Sequence, residues 1–467
     1  MVTDLTKGSP ARVILLYSLP IILGNVFQQV YNLVDTAIVG RFVSYQALAG
    51  VGITNGMTFF VLGFVLGVTS GLGICTAQYF GAGDKAGVKR SIAASIEICV
   101  AMGIVLTLAT VLLCGPLLRL IGTGPEIFGY AYDYLLLIFA GLFANVAYNL
   151  IACILRALGD SRTPLVFLIF SSVLNVGLDL LLVASLGWGV KGAAAATIAS
   201  QLLSAVLCFA YSFRRFPEMK LSREDFRVGW GFIWEHLRLA LPMAFQFSIT
   251  AIGIVLLQAA LNAFPPAWIA GFTAANKVQN IGALVSISFG VAIANYVGQN
   301  YGAGDMLRVR RGVNVTLLMT MAVCIVSSTL MVVFAEPVTS LFVADGAGAM
   351  GAGLGDAAGA AGAAGGASSA IADLFEASRE YLVISAIFFP FLFVIFIYRN
   401  ALQGVGRPFW PLMAGVLELL IRAVAAATLP QRFGYNGIVL IDVLAWVGAA
   451  VLLAICYYSW LRRCRAA

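Results

Sequence analysis

Residues 81–84 read Gly81-Ala82-Gly83-Asp84, and 221 positions later residues 302–305 read Gly302-Ala303-Gly304-Asp305. Each copy closes a long apolar run, and each is followed at the same distance by a basic pair, Lys89-Arg90 after the first and Arg310-Arg311 after the second. The match extends outward from there. Leu19-Pro20 returns as Leu241-Pro242 at an offset of 222, and Leu48-Ala49-Gly50 returns as Ile269-Ala270-Gly271 at 221. Farther along, Gly159 and Pro164 correspond to Gly406 and Pro411 at an offset of 247. The excess of 26 equals the length of an almost pure Ala/Gly stretch at 345–370, whose composition offers no side chains to pack and reads as a flexible insertion. A chain whose halves match in this way contains two copies of one unit.

Composition says what the unit is. Of the 467 residues 61% are hydrophobic and only 10% are charged, with a mean hydropathy of +0.97, too little charge to coat a water-soluble protein of this size. A helix needs about 20 apolar residues to cross a bilayer. Apolar runs predict spans at about 13–38, 47–79, 91–118, 130–156, 163–185 and 192–213, then at about 237–263, 270–300, 309–335, 372–400, 408–428 and 436–461. The expected fold is an all-α polytopic membrane protein of twelve spans in two pseudo-symmetric six-helix bundles. Because six is even, the copies run parallel about an axis along the membrane normal. Residues 1–213 make an N-lobe, the charged stretch 214–236 a cytoplasmic linker, and residues 237–467 a C-lobe with its insertion at 345–370 on the outer side. Of the 28 Lys and Arg, five (Arg41, Arg119, Lys191, Arg379, Arg432) fall on one side and two (Lys277, Arg422) within spans. The remainder share the other side with both termini, which makes the termini cytoplasmic.

Several chemistries are excluded. The eight cysteines are never closer than eight residues apart, so no metal-knuckle spacing exists. The single histidine, His236, sits at a basic helix start and reads as an interfacial residue, leaving no His cluster or Ser-His-Asp set within the membrane. No phosphate-binding loop and no soluble segment large enough for a nucleotide domain is present. An enzyme, a cofactor and a nucleic-acid partner are therefore not expected, and the first span, which lacks a cleavage site, is expected to stay.

Ionisable residues inside spans are costly and mark functional sites unless they meet a partner. The first span carries Gln28, Tyr31, Asn32 and Asp35 as one polar stripe; the fifth has Asn175 and Asp179 one turn apart, and the sixth has Thr197. From the spans' directions, Asp35, Asn175, Asp179 and Thr197 can meet in the outer half of the N-lobe. Two carboxylates, an amide oxygen and a hydroxyl suit Na⁺, and the same two carboxylates could instead carry a proton. Asn145, Tyr148 and Asn149 on the fourth span, with Gln246 and Asn280 in the C-lobe, are candidate cavity lining. Glu418 and Arg422 at i, i+4 read as an intramembrane ion pair, while Lys277, Asn400 and Asp442 are weaker candidates.

These residues resemble the multidrug and toxic compound extrusion (MATE) family over nearly the whole chain. Tyr31-Asn32-Leu33-Val34-Asp35-Thr36 running into Gly40, the doubled Gly-Ala-Gly-Asp, and Gly159-Asp160-Ser161-Arg162-Thr163-Pro164 carry the likeness. The resemblance implies a V-shaped exporter of amphipathic, mainly cationic compounds, driven by inward Na⁺ or H⁺, with Asp35, Asn175, Asp179 and Thr197 as its cation site. Acidic residues expected on spans 7 and 10 for a C-lobe site are replaced by Gln246, Gln258, Arg399 and Asn400, so coupling would fall to the N-lobe. Such a protein would work in the plasma (inner) membrane, as a monomer, on small molecules. A flippase for lipid-linked oligosaccharide or lipid is the alternative, and it would favour a cavity rich in Arg and Lys.

Overall fold

A computed structural model of the chain describes residues 3–335, 337, 340 and 364–466. These residues form thirteen α-helices and no strand: α1 (Pro10–Phe42), α2 (Tyr45–Gly81), α3 (Lys85–Leu120), α4 (Pro125–Ala140), α5 (Leu142–Ala157), α6 (Arg162–Asp179), α7 (Gly189–Arg215), α8 (Trp230–Leu261), α9 (Pro266–Gly302), α10 (Met306–Val333), α11 (Ala364–Gly404), α12 (Phe409–Phe433) and α13 (Tyr435–Ala466). A π-helical turn, Leu180–Ser185, extends α6. Eleven of the helices are long and apolar enough to cross a membrane, and α4 with α5 makes a twelfth span bent by 48°. The protein is a multi-pass helical membrane protein, and α3 shows how it meets lipid: Ile104, Val105, Leu108 and Leu112 form an exposed apolar stripe at helical spacing.

Two features differ from the expected spans. The fourth is broken at Gly141, where the side chain of Ile198 from α7 occupies the place of a Cβ, 2.4 Å from where that atom would be. The tenth begins at Ala364, so the end of the Ala/Gly-rich stretch is helical; the stretch from 345 to 363 lies outside the described residues.

Internal contacts divide the chain into two compact units. The first comprises Met1–Ala251, Val291–Val313 and Asn400–Leu412; the second comprises Ile252–Gly290, Asn314–Arg399 and Met413–Ala467. The repeated Gly-Ala-Gly-Asp lies in the first unit, and three of its four positions have a physical task. A Cβ on Gly81 would sit 1.9 Å from the Gln299 carbonyl, and one on Gly302 would sit 1.9 Å from the Gln78 carbonyl, so each copy's first glycine lets α2 and α9 cross backbone to backbone. Gly83 and Gly304, at φ of 72° and 76°, end their helices in the left-handed conformation. Asp84 and Asp305 then cap α3 and α10, accepting from the backbone N–H of Gly87 and of Arg308, each at 2.8 Å. Gly67 and Gly71 bring α2 against α8, where a Cβ would lie 2.4 Å and 2.5 Å from the Cα atoms of Ala244 and Ala240.

The segment before α1 is also built into this unit. Leu5 is fully buried, its N–H donates to Gln299 Oε1 at 3.2 Å, and its carbonyl accepts from Asn300 Nδ2 at 3.1 Å. Thr3 N–H donates to the Gly159 carbonyl, and the Arg308 guanidinium reaches the carbonyls of Leu5, Lys7 and Gly8. His236, expected at the membrane interface, is fully buried between helices. Its Nε2 pairs with Ser91 Oγ at 2.8 Å and its Nδ1 with the Phe232 carbonyl at 2.9 Å, which satisfies both ring nitrogens inside the helix contact.

Candidate functional site

The polar residues of α1, α6 and α7 converge in the first unit. Asp35 on α1, Asn175 and Asp179 on α6 and Thr197 on α7 are all buried. Asn175 Nδ2 donates to Thr197 Oγ1 at 3.4 Å, Tyr31 reaches the same Thr197 with its hydroxyl, and the carboxyl groups of Asp35 and Asp179 share a hydrogen bond. Local structure explains how both carboxylates arrive at one place. Asp179 is the last residue of regular α6, and the π-helical turn that follows shifts the register, as such turns do at many binding sites. Around them Ile38, Val39, Val183, Val190 and Ala193 form an apolar cage, with Val34 and Tyr134 packed on it.

A pair of carboxyl groups in an apolar cage demands compensation, because an uncompensated buried charge is costly. One oxygen of Asp35 is buried with no hydrogen-bond partner. The donor set is all oxygen, as a hard monovalent cation requires, and the described residues hold no group of three or more His, Cys, Asp or Glu placed for a transition metal. Tyr134 of α4 lies in the field of both carboxylates and of Tyr31. It was not singled out from the sequence, where one tyrosine in an aromatic-rich apolar run carries no distinguishing signal.

The other candidates separate into two groups. Gln28 and Asn32 are exposed and Tyr31 is half-buried, so the stripe on α1 runs from an open surface into the cage. Asn145 and Tyr148 instead tie helices together, Asn145 Nδ2 donating to Gln201 Oε1 and Tyr148 to the Pro164 carbonyl at 3.1 Å, while Asn149 Nδ2 donates to Asn145 within α5. Gln246 is buried and accepts from Gln403 Nε2 at 2.9 Å. In the second unit Asn280 is exposed and donates to Asn276, which in turn donates to the Tyr381 hydroxyl.

Glu418 and Arg422 do not form an isolated pair. Their nearest atoms are 3.8 Å apart, and the shorter contacts run to other helices: Arg399 of α11 donates to Glu418, and Arg422 Nε donates to Asp442 Oδ1 of α13 at 2.9 Å. The result is a buried chain of two cations and two anions, in the order Arg399, Glu418, Arg422, Asp442. Its formal charge is zero.

Comparison with known proteins gives the family and the fold. The sequence model of the MatE family matches residues 20–181 and 242–428. The chain is 26% identical to the probable multidrug resistance protein YpnP of Bacillus subtilis (strain 168), over 93% of this chain and 92% of that one. It is 24% identical to the probable multidrug resistance protein NorM of Thermotoga maritima, over 92% and 87% respectively. The crystal structure of MATE in complex with MaL6 shares the fold at a TM-score of 0.87 and 21% identity, covering 100% of this chain and 99% of that one.

Proposed function

This chain belongs to the MatE family of membrane transporters, and from that premise we propose that it is an antiporter exporting amphipathic, mainly cationic small molecules in exchange for inward Na⁺ or H⁺. Asp35, Asn175, Asp179 and Thr197 form the coupling site. One observation carries this reading: two carboxyl groups share a hydrogen bond beside an apolar cluster in the interior of a spanning bundle. Two such groups cannot both keep a full charge, so a proton or Na⁺ accompanies them. The exposed end of the α1 stripe, Gln28, Tyr31 and Asn32, lets a cationic substrate compete for the same negative field. Ion binding favours one conformation and substrate the other, and this difference in affinity drives exchange. The relatives' roles in multidrug resistance support export of small molecules, and the basic residues around both termini support a plasma (inner) membrane protein with cytoplasmic ends.

The test is efflux of ethidium from everted vesicles under separate Na⁺ and pH gradients, comparing wild type with Asp35→Asn. The expected result is loss of about tenfold or more in gradient-driven efflux, with ethidium binding retained. Unchanged efflux in Asp35→Asn would remove the coupling site from the N-lobe. No ethidium efflux from wild type would replace cation export by the flippase reading.

A further inference from the structure

The two sequence copies can be laid over one another residue by residue within α1 and α8, and within α6 and α12. Leu19-Pro20 and Leu241-Pro242 set the register of the first pair, and Pro164 and Pro411 that of the second, with unbroken helix on the far side of each. Carried along, these offsets place Arg422 at the position of Asn175 and Glu418 at that of Ser171. Gly253 stands for Tyr31, while Leu257 and Ala426 stand for Asp35 and Asp179. One tyrosine is common to both halves: Tyr381 lies in the field of Asp442 and Arg422 as Tyr134 lies in that of Asp35 and Asp179, and the offset of 247 relates the two.

The second half therefore lacks both carboxylates of the first and has a guanidinium where the first has an amide. That guanidinium fills a defined space. A Cβ on Gly253 would lie 2.8 Å from Arg422 Nη1, so the group occupies the room that Tyr31 takes in the other half. Its carboxylate partners are Asp442 Oδ1, at 2.9 Å from Nε, and Glu418 Oε2, at 3.8 Å from Nη1. The Arg422 side chain is only 9% exposed.

We propose that Arg422 is a tethered cation: it occupies the second half's counterpart of the coupling site and holds that half permanently in the neutralised condition that the first half reaches only with its ion bound. One site, not two, then responds to the coupling ion, and replacing Arg422 uncovers a second monovalent-cation site built on Glu418 and Asp442. The proposal rests on the reading of Asp35 and Asp179 as the coupling site.

The experiment measures the thermal unfolding midpoint of the purified full-length protein in detergent. NaCl is compared with choline chloride at pH 8, and pH 5.5 with pH 8 in choline chloride, which separates Na⁺ from H⁺. A ligand that binds only the folded state raises the midpoint. Wild type should rise by several degrees with one of the two ions, and Asp35→Asn/Asp179→Asn should not respond. Adding Arg422→Asn to that double variant should restore a response, while adding Arg422→Lys, which keeps the tethered charge, should not. A response persisting in Asp35→Asn/Asp179→Asn alone would sink the coupling reading and this proposal with it. No response there, and still none after Arg422→Asn, overturns this proposal alone. If Arg422→Asn aggregates on extraction in choline chloride at pH 8, the proposal requires two rescues: Na⁺ or pH 5.5 must restore monodisperse protein, and added Asp442→Asn must restore it in every buffer. Aggregation throughout overturns it.

Discussion

Asp35 and Asp179 in one half and Glu418 and Asp442 in the other are all buried within spans, yet the two pairs have opposite surroundings. The first pair faces its partner carboxyl, an amide, hydroxyls and an apolar cage. The second alternates with Arg399 and Arg422, so its formal charge is balanced by the fold itself. On the proposed reading, a membrane interior tolerates carboxylates in two ways: cancellation fixed by the fold, or cancellation left to a mobile ion. The same carboxylate-to-amide change should therefore have opposite consequences in the two halves.

The largest effect is expected in the second half. Glu418→Gln removes the anion between two guanidinium groups, and breaking a buried ion pair from one side costs about 3–5 kcal/mol. That is a large share of the stability of a typical domain, so the yield of monodisperse protein and its unfolding midpoint should fall sharply. In the first half, Asp35→Asn removes one of two like groups. At pH 8 without Na⁺ its midpoint should equal or exceed that of wild type, even though transport is lost. A comparable fall in both variants would break the comparison and make the N-lobe set an ordinary structural knot.

The legibility of these two regions from sequence differed for a physical reason. Asp35, Asn175, Asp179 and Thr197 were visible because polar oxygen-bearing side chains at helical spacing stand out in apolar spans, and span direction alone brings them to one depth. The C-lobe chain was read only as Glu418 with Arg422, since i, i+4 spacing reports contacts within a helix. Its shorter links, to Arg399 and Asp442, join different helices and depend on how those helices rotate against each other. The twelve spans and the repeat were legible from hydropathy and offsets. The break at Gly141 was not, because it depends on Ile198 arriving from another span. The surroundings of His236 were hidden for the same reason: Ser91 reaches its Nε2 only when α3 and α8 meet, although its Nδ1 pairs with the Phe232 carbonyl one turn back on α8 itself.

A smaller effect sharpens the comparison from the other side, where the two copies have kept the same chemistry. Gly81 and Gly302 stand at equivalent positions and are blocked alike, each by the other copy's backbone. A methyl at either has no flexible side chain to displace, so Gly81→Ala and Gly302→Ala should each destabilise by about 1–3 kcal/mol, in the range of overpacked contacts. The readout is again the midpoint in detergent. Unequal losses would show that the two crossings, though written with the same residues, are not mechanically equivalent.

The smallest expected effect is the most sensitive test of equivalence. Asp84 and Asp305 cap α3 and α10 with the same bond at the same length, and both are exposed. Truncating a capping Asp to Ala costs about 1 kcal/mol. Asp84→Ala should lose that amount and no more, because the carboxylate serves only the helix start. Asp305→Ala carries a second consequence, since its partner is the backbone of Arg308, whose guanidinium holds the carbonyls of Leu5, Lys7 and Gly8. Fraying that turn loosens the anchor of the segment before α1, so Asp305→Ala should make the bond after Lys7 more susceptible to trypsin while Asp84→Ala leaves it unchanged. Equal protection in both variants would mean that the segment is held by Gln299 and Asn300, through Leu5, without help from the cap.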